Sequence, residues 1–191
     1  MNEPVYPLFL RLSGRLVVVV GAGQVAEKKI EKLIEAGASL RIVAPSFSDA
    51  VRALAQAGGG ELLARRFEPA DLDGAWLAIA CTDDAETNQR VSDACGERRL
   101  FCLAVDDLAH ASCFAGAEIR REPFTVAIST GGAAPALARL VREIIELALP
   151  DADWVREATL LRERWKGDAT PMASRFPELV RAFAARAALL R

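Results

Sequence analysis

The residues Gly21-Ala22-Gly23-Gln24-Val25-Ala26 have the spacing G-x-G-x-x-A, and they follow directly on the apolar run Leu16-Val17-Val18-Val19-Val20. In such a turn the first glycine permits a sharp reversal and the second lets backbone approach a pyrophosphate. The alanine allows the following helix to lie close to the strand. The amides of Gly23, Gln24 and Val25 would then face phosphate oxygens with the helix dipole behind them. A glycine-rich turn that binds nothing has the same letters; the strand before it and the helix after it favour dinucleotide binding. The pattern also calls for an acidic residue about 20 positions on, at the end of the second strand, to hold the adenine ribose. Here Val43-Ala44-Pro45-Ser46 supplies none. Ser46 either offers a hydroxyl in its place or caps the next helix. With no Arg beside Pro45 and Ser46 at that strand end, the residues favour NAD over NADP.

Proton chemistry points to Asp106, just past the end of the segment Phe101 to Val105. An ordinary carboxyl is ionised at neutral pH and able to accept a proton. Asp107 competes for the role, and either residue could equally cap a helix or face solvent. Thr82, Asp83 and Asn88 follow another strand end, where capping of the helix at 85 to 98 competes with ligand contact. Ser129-Thr130-Gly131-Gly132 precedes a helix from Pro135 and offers a second set of amides to an anion. Arg120, Arg121, Arg139 and Arg142 could add cationic forks for carboxylates, although arginines three apart on a helix commonly mark a solvated face. No metal site is expected: His110 is the one histidine, and Cys81, Cys95, Cys102 and Cys113 form no CxxC pair.

The elements that must position these groups are legible from periodicity. Leu16 to Val20 is too short for a helix and apolar on both faces, as a central parallel strand is. Val25, Ala26, Ile30, Leu33 and Ile34 recur at helical spacing, Gly37 ends that helix, and Leu40 to Ala44 forms a second strand stopped by Pro45. The alternation continues with a helix over Asp49 to Gln56, a strand near Leu62 to Arg65, a strand from Trp76 to Cys81, a helix over Ala85 to Arg98 and a strand from Phe101 to Val105. Such alternation implies an α/β domain with a mostly parallel sheet, whose strands all end on one edge. From Phe114 the pattern changes. Two strands, Phe114 to Arg120 and Phe124 to Thr130, are joined by a short turn and followed by a helix from Pro135 to Leu149, which is an antiparallel arrangement. Two further helices, divided near Gly167 to Pro171, complete the chain. The expected organisation is 1–112, 113–150 and 151–191.

Composition limits the alternatives. The 191 residues are 52% hydrophobic and only 6% aromatic, so the core must be aliphatic and disorder is excluded. Net charge is −2, without the uniform positive field of a nucleic-acid binder. Residues 1–119 carry 12 basic and 17 acidic side chains, whereas 120–191 carry 12 and 9, which makes the second part the better receiver of an anionic ligand. No apolar run reaches the 18 or so residues of a membrane span and the N-terminus is unlike a signal peptide, so a cytoplasmic protein with reduced thiols is expected, with no nucleic-acid or membrane partner.

The succession YPLFLRLSGRLVVVVGAGQVAEKKIEKLIEAGASLRIVAP, WLAIACTDDAETNQRVSDAC, FCLAVDD and VAISTGGAAPALARLVREIIE resembles the precorrin-2 dehydrogenase/sirohydrochlorin ferrochelatase module of siroheme synthases. The resemblance covers about residues 6 to 150. It implies a Rossmann-like NAD-binding domain, a small α+β module used for homodimerisation and for the tetrapyrrole, and a C-terminal helical segment, in a stand-alone form without a methyltransferase domain. The activity implied is NAD-dependent oxidation of precorrin-2 to sirohydrochlorin, with ferrous iron a further substrate in bifunctional members. Carried over by position, the cofactor loop falls on Gly21, Gly23, Gln24 and Val25 and the ribose side on Pro45 and Ser46; Thr82, read from its own strand end on the same edge, completes the expected cofactor set. The catalytic aspartate is Asp106, and the substrate side comprises Thr130, Gly131, Gly132 and Arg139. Precorrin-2 carries eight carboxylates, which gives the arginines of the second part a use. The chain departs from the family at Leu103-Ala104, where Asn-Val is common, and at Cys113-Phe114-Ala115-Gly116, where Phe, two apolar residues and Pro are common. A different class of protein, a non-catalytic NAD-binding redox sensor, would need only the first 112 residues.

Overall fold

A computed structural model describes residues 5–105, 111–149 and 152–187. The chain divides into two compact units, one of Glu3–Ala115 and one that includes Gly116–Arg191.

The first unit is a five-stranded parallel sheet, β1 (Leu16–Val20), β2 (Ser39–Ala44), β3 (Glu61–Ala64), β4 (Leu77–Ala80) and β5 (Phe101–Ala104), in the order β3-β2-β1-β4-β5. Helices α1 (Gln24–Glu35), α2 (Asp49–Gly58) and α3 (Ala85–Arg98) and a 3-10 turn at Pro69–Leu72 make the crossovers. The valine run of β1 explains its central place. Val17 and Val19 pack with Ala26, Ile30 and Leu33 of α1 and Val51 and Ala55 of α2, whereas Val18 and Val20 pack with Val91, Ala94 and Cys95 of α3. A strand buried on both faces cannot alternate apolar with polar residues. Burying each such valine is worth about 1.5–3 kcal/mol.

The order reverses at β1, with β2 on one side and β4 on the other. A parallel doubly wound sheet opens a crevice at that switch point, beyond the carboxyl ends of its strands. The fold thus places the Gly21 turn at the mouth of the crevice.

The second unit pairs β6 (Ala117–Arg121) with β7 (Phe124–Ile128) in an antiparallel hairpin, followed by α4 (Pro135–Ala148), α5 (Ala152–Gly167) and α6 (Met172–Ala187). Both strands start or stop short of the expected bounds. The backbone of Gly116 crosses so near β7 that a Cβ there would lie 2.3 Å from the Ile128 carbonyl oxygen. That contact accounts for the glycine at the last of the family-departing positions, 113 to 116. No described helix is long and apolar enough to cross a membrane.

Candidate functional site

At the carboxyl edge of the parallel sheet lies a cavity of about 790 Å³, within the size range of small-molecule sites. It is lined by the ends of β1 and β2, by the residues just after β3 and β4, and by the first turns of α1 and α3.

The floor is the turn after β1. Gly21 has φ +119°, and a Cβ there would lie 2.6 Å from the Cys81 carbonyl oxygen. Both the backbone conformation and the approach of β4 demand glycine. Gly23 differs. Its φ of −86° and ψ of −174° suit any residue, and its missing side chain would meet no protein atom within 4 Å. Nothing in the fold requires glycine at 23; its absent side chain leaves room over the cavity. Gly23 is also the N-cap of α1, and no side chain caps the helix. The Glu27 amide bonds the Gly23 carbonyl at 3.1 Å, which leaves the amides of Gln24 and Val25 in the first turn without an intrahelical acceptor. Uncapped amides beside open space at a helix N-terminus make an anion cradle.

Of the residues picked out in sequence for the cofactor, Gly21, Gly23, Gln24, Val25, Pro45, Ser46 and Thr82 all line this cavity. Ser46 does not cap α2. Ser48 does, accepting the Val51 amide at 3.2 Å and donating its own hydrogen to Glu27 Oε1 at 2.8 Å. Thr82 lines the wall but is held by the side-chain amide of Asn88, which accepts from the Thr82 amide at 3.1 Å and donates to the Thr82 carbonyl at 2.9 Å. The cap of α3 is neither Thr82 nor Asp83 but Asp84, which accepts from Glu86 N at 3.3 Å and Thr87 Oγ1 at 2.5 Å. The Thr87 hydrogen bond holds the Asp84 carboxyl below the usual range. Beneath the turn, burial pushes the Cys81 thiol up to about 12. It stays a neutral thiol, donating to the Val20 carbonyl at 3.4 Å.

Asp106, Asp107 and His110 lie outside the described residues. The described chain leads as far as Val105, whose amide bonds the Ala80 carbonyl at 3.0 Å.

In the second unit, Gly131 and Gly132 have φ of +61° and +81° in the loop before α4. That loop has fewer donors to spare than its composition suggests. The Gly131 amide bonds Ser129 Oγ at 2.9 Å, the Ala133 amide bonds the Thr130 carbonyl at 3.1 Å, and the Ala134 amide bonds Thr130 Oγ1 at 3.1 Å. Pro135 has no N–H. Arg139 donates to Glu143 at 3.1 Å and Arg142 to Glu146 at 2.7 Å. These are i,i+4 pairs on a helix face.

Arg66, Ser48, Asp84 and Thr87 also line the cavity and were not singled out in sequence. A signal existed for Arg66. It stands as far beyond its short strand as Ser46 stands beyond β2, and the strands of a parallel sheet end together.

Comparison with known proteins places this geometry. Residues 8–117 match an NAD(P)-binding family, and residues 121–147 match the sirohaem biosynthesis protein central family. The chain is similar to a siroheme synthase of Enterobacter sp. (strain 638), 45% identical over 162 residues covering 84% of this chain and 35% of that protein. It is also similar to a siroheme synthase of Photorhabdus laumondii, 41% identical over 96% of this chain and 40% of that protein. The chain thus spans well under half the length of these relatives. Among solved structures, "SirC, precorrin-2 dehydrogenase" superposes with a TM-score of 0.73 over 93% of this chain and 88% of that one, at 22% identity. The two share a fold.

Proposed function

This chain belongs to the NAD(P)-binding family of sirohaem biosynthesis proteins, and from that premise we propose that it oxidises precorrin-2 to sirohydrochlorin with NAD as the acceptor. The observation that carries the nucleotide part is the vacant side-chain position at Gly23 over the uncapped start of α1; the likeness to siroheme synthases supports the substrate. Gly23, Gln24 and Val25 hold the pyrophosphate through backbone amides, Gly21, whose own amide bonds the Val43 carbonyl at 2.9 Å, makes the turn that brings them there, Pro45 and Ser46 bound the ribose, and Thr82, fixed by Asn88, forms the wall on the β4 side. When bound, the nicotinamide supplies a two-electron acceptor for hydride.

The oxidation removes one hydride and one proton from the macrocycle, so a base must accept the proton as the hydride leaves. We assign that to the carboxylate of Asp106, in the segment that follows β5. In this reading 1–112 binds the nucleotide, 113–150 contributes Thr130, Gly131, Gly132 and Arg139 to the tetrapyrrole side, and 151–191 is a helical addition. The proposed setting is the cytoplasm. Ferrous iron as a second substrate is read directly by adding it anaerobically after the oxidation.

A homodimer is part of the proposal. Leu137, Leu140, Ile144 and Leu147 of α4 are all more than half exposed, and Ala138 is the one buried residue of that helix. Spaced three, four and three residues apart, they form one continuous exposed apolar stripe, the kind of seam suited to a second copy.

The assignment of Asp106 is tested by turnover. General-base assistance is typically worth about 10² to 10⁴ in rate. Asp106→Asn should lose that factor in sirohydrochlorin formation with NAD affinity unchanged, and Asp107→Asn should lose far less. Parent-rate turnover by Asp106→Asn would remove it from the mechanism; loss of NAD binding in step with activity would make its role structural.

A further inference from the structure

We propose that Arg66, together with the Ser46 hydroxyl, forms a subsite for a phosphate on the adenosine ribose, so that this chain's dinucleotide site takes NADP as well as NAD. The inference rests on the dinucleotide reading above and adds a specificity that reading does not contain.

β2 and β3 run parallel and in register to the pair Ala44↔Ala64. Ser46 and Arg66 each stand two residues beyond that pair, and both line the cavity. This is the edge where a doubly wound fold holds the adenine ribose, at the end of the second strand. In NAD-selective sites a carboxylate there bonds the ribose 2′-hydroxyl and opposes a 2′-phosphate; the β2 end here, Val43-Ala44-Pro45-Ser46, has none.

Several of the other charged groups near this edge are already engaged. Arg65 grips Asp71 at 2.9 and 2.5 Å, and Arg41 bonds Glu61 at 2.7 Å. Glu27 receives the Ser48 hydroxyl. Asp84, whose carboxylate senses the Arg66 charge, caps α3 through Glu86 N and Thr87 Oγ1. With Asp83 it follows β4, which lies on the far side of β1 from β2. Among the described residues the Arg66 guanidinium and the Ser46 hydroxyl make no hydrogen bond or ion pair, and both residues are exposed. A guanidinium and a hydroxyl, both without a partner among those residues and each two residues past the end of neighbouring strands on the ribose edge of one cavity, are the donor types that a phosphate monoester takes.

The experiment is calorimetric titration of the full chain and of Arg66→Gln with NAD, NADP, 5′-AMP and 2′,5′-ADP, at low and moderate salt. The parent should bind NADP within about tenfold of NAD, and Arg66→Gln should weaken NADP and 2′,5′-ADP by at least about tenfold with NAD and 5′-AMP unchanged within twofold. The loss should shrink at higher salt, because the site is exposed. Arg66→Lys, which keeps the charge without the fork, should fall between. Binding of NAD but not NADP by the parent would overturn the subsite. Equal losses for all four ligands would overturn it too, by assigning Arg66 to the shared adenosine. If neither dinucleotide binds the folded protein, the dinucleotide reading fails and takes the subsite with it.

Discussion

Two glycines two residues apart have different reasons to be glycine, and the difference can be measured. Gly21 answers to the fold, through its positive φ and the Cys81 carbonyl 2.6 Å from where a Cβ would be. Gly21→Ala should destabilise the protein by about 1–3 kcal/mol, the usual cost of a residue held in a sparsely populated region, as read by urea unfolding. Gly23 answers to the ligand. Gly23→Asp should leave the unfolding midpoint nearly unchanged and reduce NAD affinity more than about a hundredfold, since a like charge at the phosphate position costs several kcal/mol. A Gly23→Asp variant that is folded and binds NAD at the parent affinity would remove the cradle from the account. The G-x-G-x-x-A spacing was enough to mark both glycines but not to divide their tasks. That division depends on β4, which approaches Gly21 from 60 residues away in sequence.

At the scale of elements, β3 and β4 are linked by a segment fixed around one buried carboxylate. Asp71 is 3% exposed. Burial alone would raise its pKa, but the Arg65 hydrogen bonds and the Glu68 amide, at 2.8 Å, outweigh burial and hold it below the usual carboxylate value. Arg41 Nη1 adds a bond to the Asp71 carbonyl at 2.8 Å. Because the folded pKa is depressed, the stabilisation is fully present above the unfolded value near 3.8 and is lost as pH falls below it. Asp71→Asn should cost about 1–2 kcal/mol at neutral pH, at the low end because Arg65 is partly exposed, and the deficit should vanish toward pH 2. Urea midpoints measured against pH check both statements; a deficit that persisted unchanged in acid would assign the effect to packing. This linkage was invisible in sequence, where Arg65 read as the end of a strand and Asp71 as one acid among many. Strands β1 and β2 were the most legible, because β-branched residues stopped by Gly21 and Pro45 have few other uses. The caps were less so: Ser48 and Asp84 stand where Ser46, Thr82 and Asp83 compete on composition, and only the path of the chain chooses. Along α4, the glutamates four residues after Arg139 and Arg142 were a readable sign that these arginines had partners on their own helix.

For the whole molecule, the proposed dimer makes a definite statement about mass. Sedimentation should give about twice 20.6 kDa, and a charge placed at Leu140 or Ile144 should shift the species toward monomer. A parent chain that remains at 20.6 kDa at every concentration would contradict it. Function is harder to read at this scale, since an NAD-binding regulatory domain could share the first unit and its cavity. The two readings diverge on chemistry. The most direct measurement is to mix the protein with NAD and anaerobically prepared precorrin-2, and to follow sirohydrochlorin and NADH together by absorbance. The account predicts that the parent forms the two products in equal amounts and that the folded Gly23→Asp variant forms neither. Binding of NAD by the parent without any oxidation of precorrin-2 would contradict it and leave the sensor reading in its place.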